Sequence, residues 1–448
     1  MIRIELPEDV VFIIKTLEDQ GFEAFAVGGC VRDSLLGKKP HDWDVTTSAK
    51  PADMKRIFRR TIDTGIEHGT VTILHDGAAI ETTTYRIDGI YEDSRHPKNV
   101  EFTSDLTEDL RRRDFTINAM AYNPSTGIVD KFGGLEDLKA GVIRCVGDPF
   151  ARFNEDALRM FRAIRFSAQL NFGIEEETKK AIAFLAPNLS NISAERICAE
   201  LIKTITSDSP GKIRLAYELG VTKIVLPEFD KMMETEQNTK HHWYSVGEHT
   251  IKTMESIPPE RILRLTMLLH DIGKPLCKRT DDNGVDHFKT HAVSSEKIAE
   301  DIMRRLKLDN ETIKNVRMLI RFHDWHYIPD EVNVRRLMHD MGDELMEDFF
   351  LVQRADLAGQ SDYRKDQKQE RIDNSERIYD IIKERGDCTS LKELALTGDD
   401  ILSLGIKRGP RVGRILEAAL DDVIENPDHN NKDYLKKFAI EQDMKERS

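Results

Sequence analysis

The stretch VGGCVRDSLLGKKPHDWD, residues 27–44, decides how the rest of the chain is read. An apolar run, Phe25-Ala26-Val27, meets the pair Gly28-Gly29, then a short helical segment opening with Val31-Arg32-Asp33, a loop, and Asp42-Trp43-Asp44. The glycines lack Cβ atoms, so backbone N–H groups there can approach phosphate oxygens at a helix start, where the dipole also favours an anion. Side chains alternate along a strand, which would place Asp42 and Asp44 on one face and turn Trp43 to the core. Two carboxylates on one face, completed by substrate phosphates, are an oxygen set that Mg²⁺ takes. Joined in this order with Arg32 between them, the two halves describe a nucleoside triphosphate site.

On the N-terminal side, residues 7–20 place Val10, Ile13, Ile14 and Leu17 at helical spacing, with Gly21 as the stop. On the C-terminal side, KPADMKRIF predicts a second helix with Pro51 near its start. Residues 69–86 predict a β-hairpin turning at Asp76-Gly77. Glu81 lies on the second arm, either facing solvent or supplying a third carboxylate beside Asp42 and Asp44; periodicity alone does not decide the face.

At 448 residues the chain has room for two to four domains. No apolar run approaches the roughly 18 residues of a membrane span, and MIRIELPEDV carries no signal-peptide pattern. The five cysteines are scattered without CxxC pairs, as expected of reduced thiols. A cytoplasmic protein with no membrane partner is the expectation. The formal net charge of −14 argues against a nucleic-acid partner, but 66 basic residues are present and binding depends on where they cluster.

GGCVRDSLLGKKPHDWD resembles the signature of the class II tRNA nucleotidyltransferase and poly(A) polymerase family. RRRDFTINAMA, residues 111–121, is similar to that family's second motif. The resemblance implies that Arg112, Arg113 and Asp114 bind triphosphate and sugar, that Asn118 helps hold the site, and that Gly28, Gly29 and Arg32 bind nucleotide. The loop at 87–99, with Asp88 and Arg95-His96-Pro97, resembles the one that CCA-adding members retain and CC-only members lack.

A helix is expected from about Asn154, in NEDALRMFRAIRFSAQLNF. Asp156, Arg159 and Arg162 follow at spacings of three, near one face, and Glu155 to Arg159 has ion-pair spacing. The resemblance assigns base selection to Asp156 and Arg159, with Arg162 also at the nucleotide. Arginine presents a planar donor fork and aspartate accepts from an exocyclic amine, so small rotations would serve cytosine or adenine. SAERICAEL, with Glu195 and Arg196, matches the next helical motif and is expected to brace this helix.

Nine of the 14 histidines lie between residues 241 and 339. His249, His270-Asp271 in LLHDIGKP, His291, His323 and Asp356 resemble the HD phosphohydrolase superfamily. That resemblance implies a divalent metal on His249, His270, Asp271 and Asp356, with His291 and His323 available for a second ion or for substrate. Imidazole with carboxylate leaves Mn, Ni, Fe, Co or Zn open. Residues 364–385 read as a charged, solvated helix. Near the C-terminus, Lys407, Arg408, Arg411 and Arg414 precede an amphipathic helix, a grip for a phosphate backbone or a plain helical hairpin.

The expected fold class is α+β: a nucleotidyltransferase-fold head of mixed sheet and helices (1–140), then an all-α neck and body (141–235), an HD domain (236–385) and a helical tRNA-binding tail (386–448). The expected function is template-independent addition of CCA to tRNA 3′ ends from CTP and ATP, with Mg²⁺ on Asp42 and Asp44. Alternatives in the same class are a poly(A) polymerase and an enzyme adding only A or only CC. In another class stands a metal-dependent phosphohydrolase whose head merely binds nucleotide; by analogy, the HD part would act as a cyclic phosphodiesterase or phosphatase on RNA ends.

Overall fold

The computed structural model describes residues 3–89, 100–326 and 328–447. Arg95, His96 and Pro97 of the predicted loop lie outside the described residues, as does the side chain of Asp88. Two compact units form: Met1–Asp230 with Arg305–Leu308, and Lys231–Arg304 with Asp309–Ser448.

In the first unit, helix Glu8–Asp19 buries Val10, Ile13, Ile14 and Leu17 as its periodicity predicts. It covers a mixed sheet of seven strands, in the order Thr61–Gly65, Thr70–His75, Ala78–Thr84, Asp44–Thr47, Ala24–Val27, Met120–Asn123, Gly127–Asp130. The pair Asp44–Thr47 with Ala78–Thr84 is parallel and the other neighbours are antiparallel. Asp76 and Gly77 take φ of 42° and 92°, the double positive φ that a tight two-residue hairpin demands.

The parallel register sets Asp44 directly beside Glu81. This replaces the expected arrangement at Asp42-Trp43-Asp44. The strand begins only at Asp44, Asp42 lies in the bend before it, and Trp43 is half-buried instead of in the core. The neighbouring strand explains the short ladder: Ala26 pairs with Val45, but the chain leaves that strand after Val27 to start a helix at Gly29, so Asp42 meets no strand on that side.

Helices follow, with a break where a continuous helix was expected from Asn154. Pro149–Glu155 ends, Asp156 is extended (φ −139°, ψ 103°), and Leu158–Leu170 begins anew. The Asp156 carboxylate accepts the Leu158 N–H at 3.0 Å, satisfying a first-turn donor that a continuous helix would have paired internally. Helix Ala194–Ile205 packs against Leu158–Leu170.

Among the described residues, the second unit is helical apart from a two-stranded hairpin, Arg279–Thr280 with Asp286–His287. Helix Lys365–Arg385 is not solvated all round as expected: Ile372, Tyr379 and Ile382 are buried, at a spacing that makes a narrow stripe among its charges. The tail has its own apolar cluster, including Leu396, Ile401, Ile415, Leu420 and Leu435.

Candidate active site

Strand Ala24–Val27 ends at Gly28, whose φ of +85° turns the chain into helix Gly29–Leu35. A Cβ built at Gly28 would stand 2.9 Å from Arg113 Nη1, so the guanidinium lies against bare backbone. Arg113 Nε is buried without a hydrogen-bond partner, a donor held in reserve at the place where phosphate was predicted. Gly28→Ala combines a left-handed backbone with that close approach. Its expected effect is a rise of about tenfold in KM for nucleotide, read by steady-state kinetics, as Arg113 is displaced.

Solvent reaches the Asp44 carboxylate, yet its pKa is raised. Burial against the sheet is the main cause; Glu81 and Asp42 add to it and Arg113 opposes it. A carboxylate crowded by two others is relieved by a cation. The donors are oxygen throughout, the set that suits a hard divalent ion.

The basic triplet is anchored by Asp109, which is fully buried. Arg112 Nε and Nη2 donate to its Oδ1 at 2.9 and 2.8 Å, Arg113 Nη2 lies 3.7 Å from its Oδ2, and the Thr46 hydroxyl donates to Oδ2 at 3.0 Å. Burial pushes the Asp109 carboxyl up, but the two guanidiniums bring it below its ordinary range. Asp109 was not singled out from sequence, although it lies three and four residues before Arg112 and Arg113, which is helical ion-pair spacing.

Asp114, Asn118, Arg32 and Arg162 form one network. Arg162 Nε and Nη2 donate to Asp114 Oδ2 at 2.8 and 2.6 Å. Asn118 Nδ2 donates to Asp114 Oδ1 at 3.2 Å, and Arg32 Nη1 donates to Asn118 Oδ1 at 2.7 Å. Burial would raise the Asp114 pKa, yet Arg162 and Asn118 hold it down at about 2. The guanidiniums of Arg32, Arg162 and Arg165 gather round the Phe166 ring at 5.1, 5.4 and 4.1 Å from its centroid. Phe166 is a second residue that sequence reasoning missed, because apolar periodicity reads it as core.

Asp156 and Arg159 are already engaged. Arg196 Nη2 donates to Asp156 Oδ2 at 2.7 Å, while Arg159 donates to Glu155 at 2.6 Å and to the Arg112 carbonyl at 3.0 Å. The last bond ties Arg159 to the chain that carries the basic triplet. Arg165 pairs with Glu200 at 3.2 Å, giving helix Ala194–Ile205 a second tie to Leu158–Leu170.

Residues 24–144 match the poly A polymerase head domain, 171–233 the RNA and SrmB-binding site of polymerase A, and 287–439 the tRNA nucleotidyltransferase domain 2. A CCA-adding enzyme of Levilactobacillus brevis is 35% identical over 92% of this chain and 92% of its own length. The chain belongs to the CCA-adding enzyme family. A CCA-adding enzyme of Leuconostoc mesenteroides is 52% identical across 45% of this chain, a match that spans about half of that relative's length (51%). The crystal structure of the Bacillus stearothermophilus CCA-adding enzyme in complex with CTP is 28% identical, with a TM-score of 0.71, covering 98% of this chain and 97% of that one. Among the described residues no helix is long and apolar enough to cross a membrane.

The second unit of this CCA-adding family member gathers the predicted histidines. His249, His270 and Asp271 form one buried group with ligand atoms mutually within 4.8 Å, and Asp271, His291 and His323 form another. Each ring turns Nδ1 to a backbone carbonyl: Gly359 for His249 (3.0 Å), Met267 for His270 (2.8 Å), Phe288 for His291 (2.9 Å) and Ile320 for His323 (2.7 Å). A carbonyl only accepts, so Nδ1 carries the proton and all four Nε2 atoms face inward. They meet in pairs, His249 with His270 at 3.3 Å and His291 with His323 at 3.2 Å.

Asp271 stands between the pairs, Oδ2 lying 3.3 Å from His270 Nε2 and Oδ1 3.5 Å from His291 Nε2. Neither of its buried oxygens receives a well-formed hydrogen bond, although the Lys274 ammonium lies 2.7 Å from Oδ2. Asp356 Oδ1 is 2.9 Å from His249 Nε2 and 3.6 Å from His270 Nε2. Burial pushes the His270 imidazole down, but Asp271 and Asp356 bring it up to about 10. Four inward-facing Nε2 atoms around an under-satisfied carboxylate form a donor set that fits a divalent cation, which would displace the proton from His270 on binding.

In the tail, Arg411 and Arg414 sit inside helix Pro410–Glu425, not ahead of it. Arg411 is not free for phosphate as expected, since Nη1 lies 2.9 Å from Asp443. Lys407, Arg408 and Arg414 are exposed.

Proposed function

We propose that this chain adds CCA to the 3′ end of tRNA from CTP and ATP without a nucleic-acid template. The observation that carries the reading is the Asp44–Glu81 register beside the Gly28–Arg113 contact, which brings carboxylates and an unpaired guanidinium donor to one end of the sheet. Membership in the CCA-adding family supports it, as does the CTP bound to the solved Bacillus relative.

Asp42, Asp44 and Glu81 would hold Mg²⁺, which supplies charge neutralisation at the triphosphate and a more acidic 3′-hydroxyl. Arg113 and the Gly28-Gly29 backbone clamp the triphosphate; Arg112, fixed by Asp109, stands next to them. The network of Arg32, Asn118, Asp114 and Arg162 sets the position of the sugar. Asp156 and Arg159 read the base, exchanging Arg196 and Glu155 for its edge. Helix Ala194–Ile205 braces them through Arg196, and Lys407, Arg408 and Arg414 hold the RNA backbone. Cysteines that form no disulfide among the described residues accord with a reducing cytoplasm.

The deciding experiment extends a tRNA lacking CCA with Mg²⁺ and CTP alone, ATP alone or both, read as product length. Two residues from CTP and a third only when ATP joins is the expected result. Long A tracts would indicate a poly(A) polymerase, and A added only to tRNA ending in CC an A-adding enzyme. No extension would overturn the reading.

A second activity is favoured by the inward-facing Nε2 pairs. The histidine-rich unit would hold a divalent transition metal on His249, His270, Asp271 and Asp356, with His291 and His323 for a second ion. Such an ion supplies Lewis-acid polarisation of a phosphoryl group and lowers the pKa of water for its hydrolysis.

A further inference from the structure

The histidine-rich centre opens into a cleft of about 530 Å³ whose lining includes Asp271, His323 and Asp356. Five cationic side chains also line it: Lys274, Lys289, Arg364, Lys368 and Arg371. Three of these come from the helix Lys365–Arg385 and the residue that precedes it, the segment whose charges sequence reasoning assigned to solvent. The buried stripe of that helix explains the difference. With Ile372, Tyr379 and Ile382 turned into the core, Lys368 and Arg371 are carried to the cleft.

The two are held differently. Lys368 Nζ donates to Gln360 Oε1 at 2.6 Å, and Gln360 Nε2 donates to Asp356 Oδ2 at 2.6 Å, so the ammonium is placed one side chain away from a predicted metal ligand. Arg371 is half-buried, and among the described residues its guanidinium makes no hydrogen bond or ion pair within the distances of one. Desolvation lowers the pKa of both cations; Asp356 and Asp324 oppose this at Lys368, and Asp324 at Arg371. A guanidinium withdrawn from water without a carboxylate partner is costly unless an anion arrives.

We propose that Lys368 and Arg371 form the phosphate-recognition wall of this cleft, binding the non-bridging oxygens of a phosphate ester whose phosphorus faces Asp271 and Asp356. The proposal rests on the second activity above and deepens it by naming the group that the site selects. Arg371 gives two parallel donors to a phosphate, and Lys368 gives a point charge fixed by Gln360. The site therefore takes dianionic phosphate monoesters in preference to neutral or monoanionic esters of the same size.

The test uses the full-length protein loaded with Mn²⁺, with inorganic phosphate as the calorimetric probe and metal content measured separately by mass spectrometry. Arg371→Ala and Lys368→Gln should each weaken phosphate binding by about tenfold or more, with metal content and thermal midpoint unchanged. Arg371→Lys should recover part of the loss through charge alone. Phosphate affinity equal to wild type in both variants would overturn the wall and leave the metal centre standing. Failure of the wild-type protein to retain Mn²⁺, with phosphate still bound through Arg371, would overturn the hydrolase reading and leave the wall standing. Loss of phosphate binding only in step with lost metal would assign the two cations a structural role and overturn the proposal.

Discussion

Asp44→Asn is expected to lower the rate of nucleotide addition by at least about a thousandfold, a transition-state loss near 4 kcal/mol. The isostere keeps the strand and its pairing with Glu81 but removes the charge on which the proposed Mg²⁺ site depends. The same substitution should not cost stability. The Asp44 carboxyl titrates above its ordinary range, chiefly through burial, with Glu81 and Asp42 adding and Arg113 opposing. A carboxyl whose folded pKa exceeds its unfolded one costs stability at neutral pH. That cost disappears as the pH falls below both values. Removing the charge should therefore leave the thermal midpoint in chelator at or above that of wild type. Mg²⁺ should raise the wild-type midpoint and leave that of Asp44→Asn where it is. Single-turnover extension and thermal melts with and without Mg²⁺ check the two halves. Glu81→Gln tests the third carboxylate: its register with Asp44 predicts a smaller loss, about tenfold.

What the sequence told depended on whether the partner of a residue is near in the chain. Helix Glu8–Asp19 and the turn at Asp76-Gly77 obey local rules, periodicity and positive φ, and both were legible. Asp42-Trp43-Asp44 also reads locally as a strand, but the ladder's length is set by a strand some twenty residues earlier, which ends at Val27. The break at Asp156 has the same origin. Nothing in NEDALRMF disfavours a continuous helix, and it is Arg196, forty residues on, that accompanies the extended Asp156 in its place.

Charge was hardest to read. Helix Lys365–Arg385 has only three buried apolar positions, Ile372, Tyr379 and Ile382, to fix which face is buried, too few to outweigh its composition. Arg411 belonged to a convincing basic cluster, and only the fold reveals Asp443 as its partner. The histidine centre was legible because its residues carry chemistry whatever their position. The inward direction of the four Nε2 atoms was not, since it depends on carbonyls at Met267, Phe288, Ile320 and Gly359 that sequence cannot place.

Asp271→Asn is the corresponding test of that centre, and it predicts a loss of bound metal together with a loss of stability. The carboxylate is buried and faces His270, His291 and Lys274 at 3.3, 3.5 and 2.7 Å. Burial alone would raise its pKa, but His270 and Lys274 bring it well below the ordinary range. A depressed carboxyl contributes stability that is present above its unfolded pKa and lost as the pH falls through the folded one. The amide forfeits that contribution at every pH, leaving the Lys274 ammonium and the His270 imidazolium without their shared anion. Breaking a buried pair in this way costs about 3–5 kcal/mol. The thermal midpoint in chelator should therefore fall, and transition-metal content at neutral pH should fall at least about tenfold. Wild-type protein should gain stability from Mn²⁺ or Ni²⁺ while Asp271→Asn gains none. CCA addition, assayed well below the variant's midpoint, should persist, because Asp42, Asp44 and Arg113 belong to the other compact unit. Metal retained at the wild-type level would remove Asp271 from the ligand set. Addition lost together with the metal would mean that the ion serves the polymerase and not a separate hydrolase.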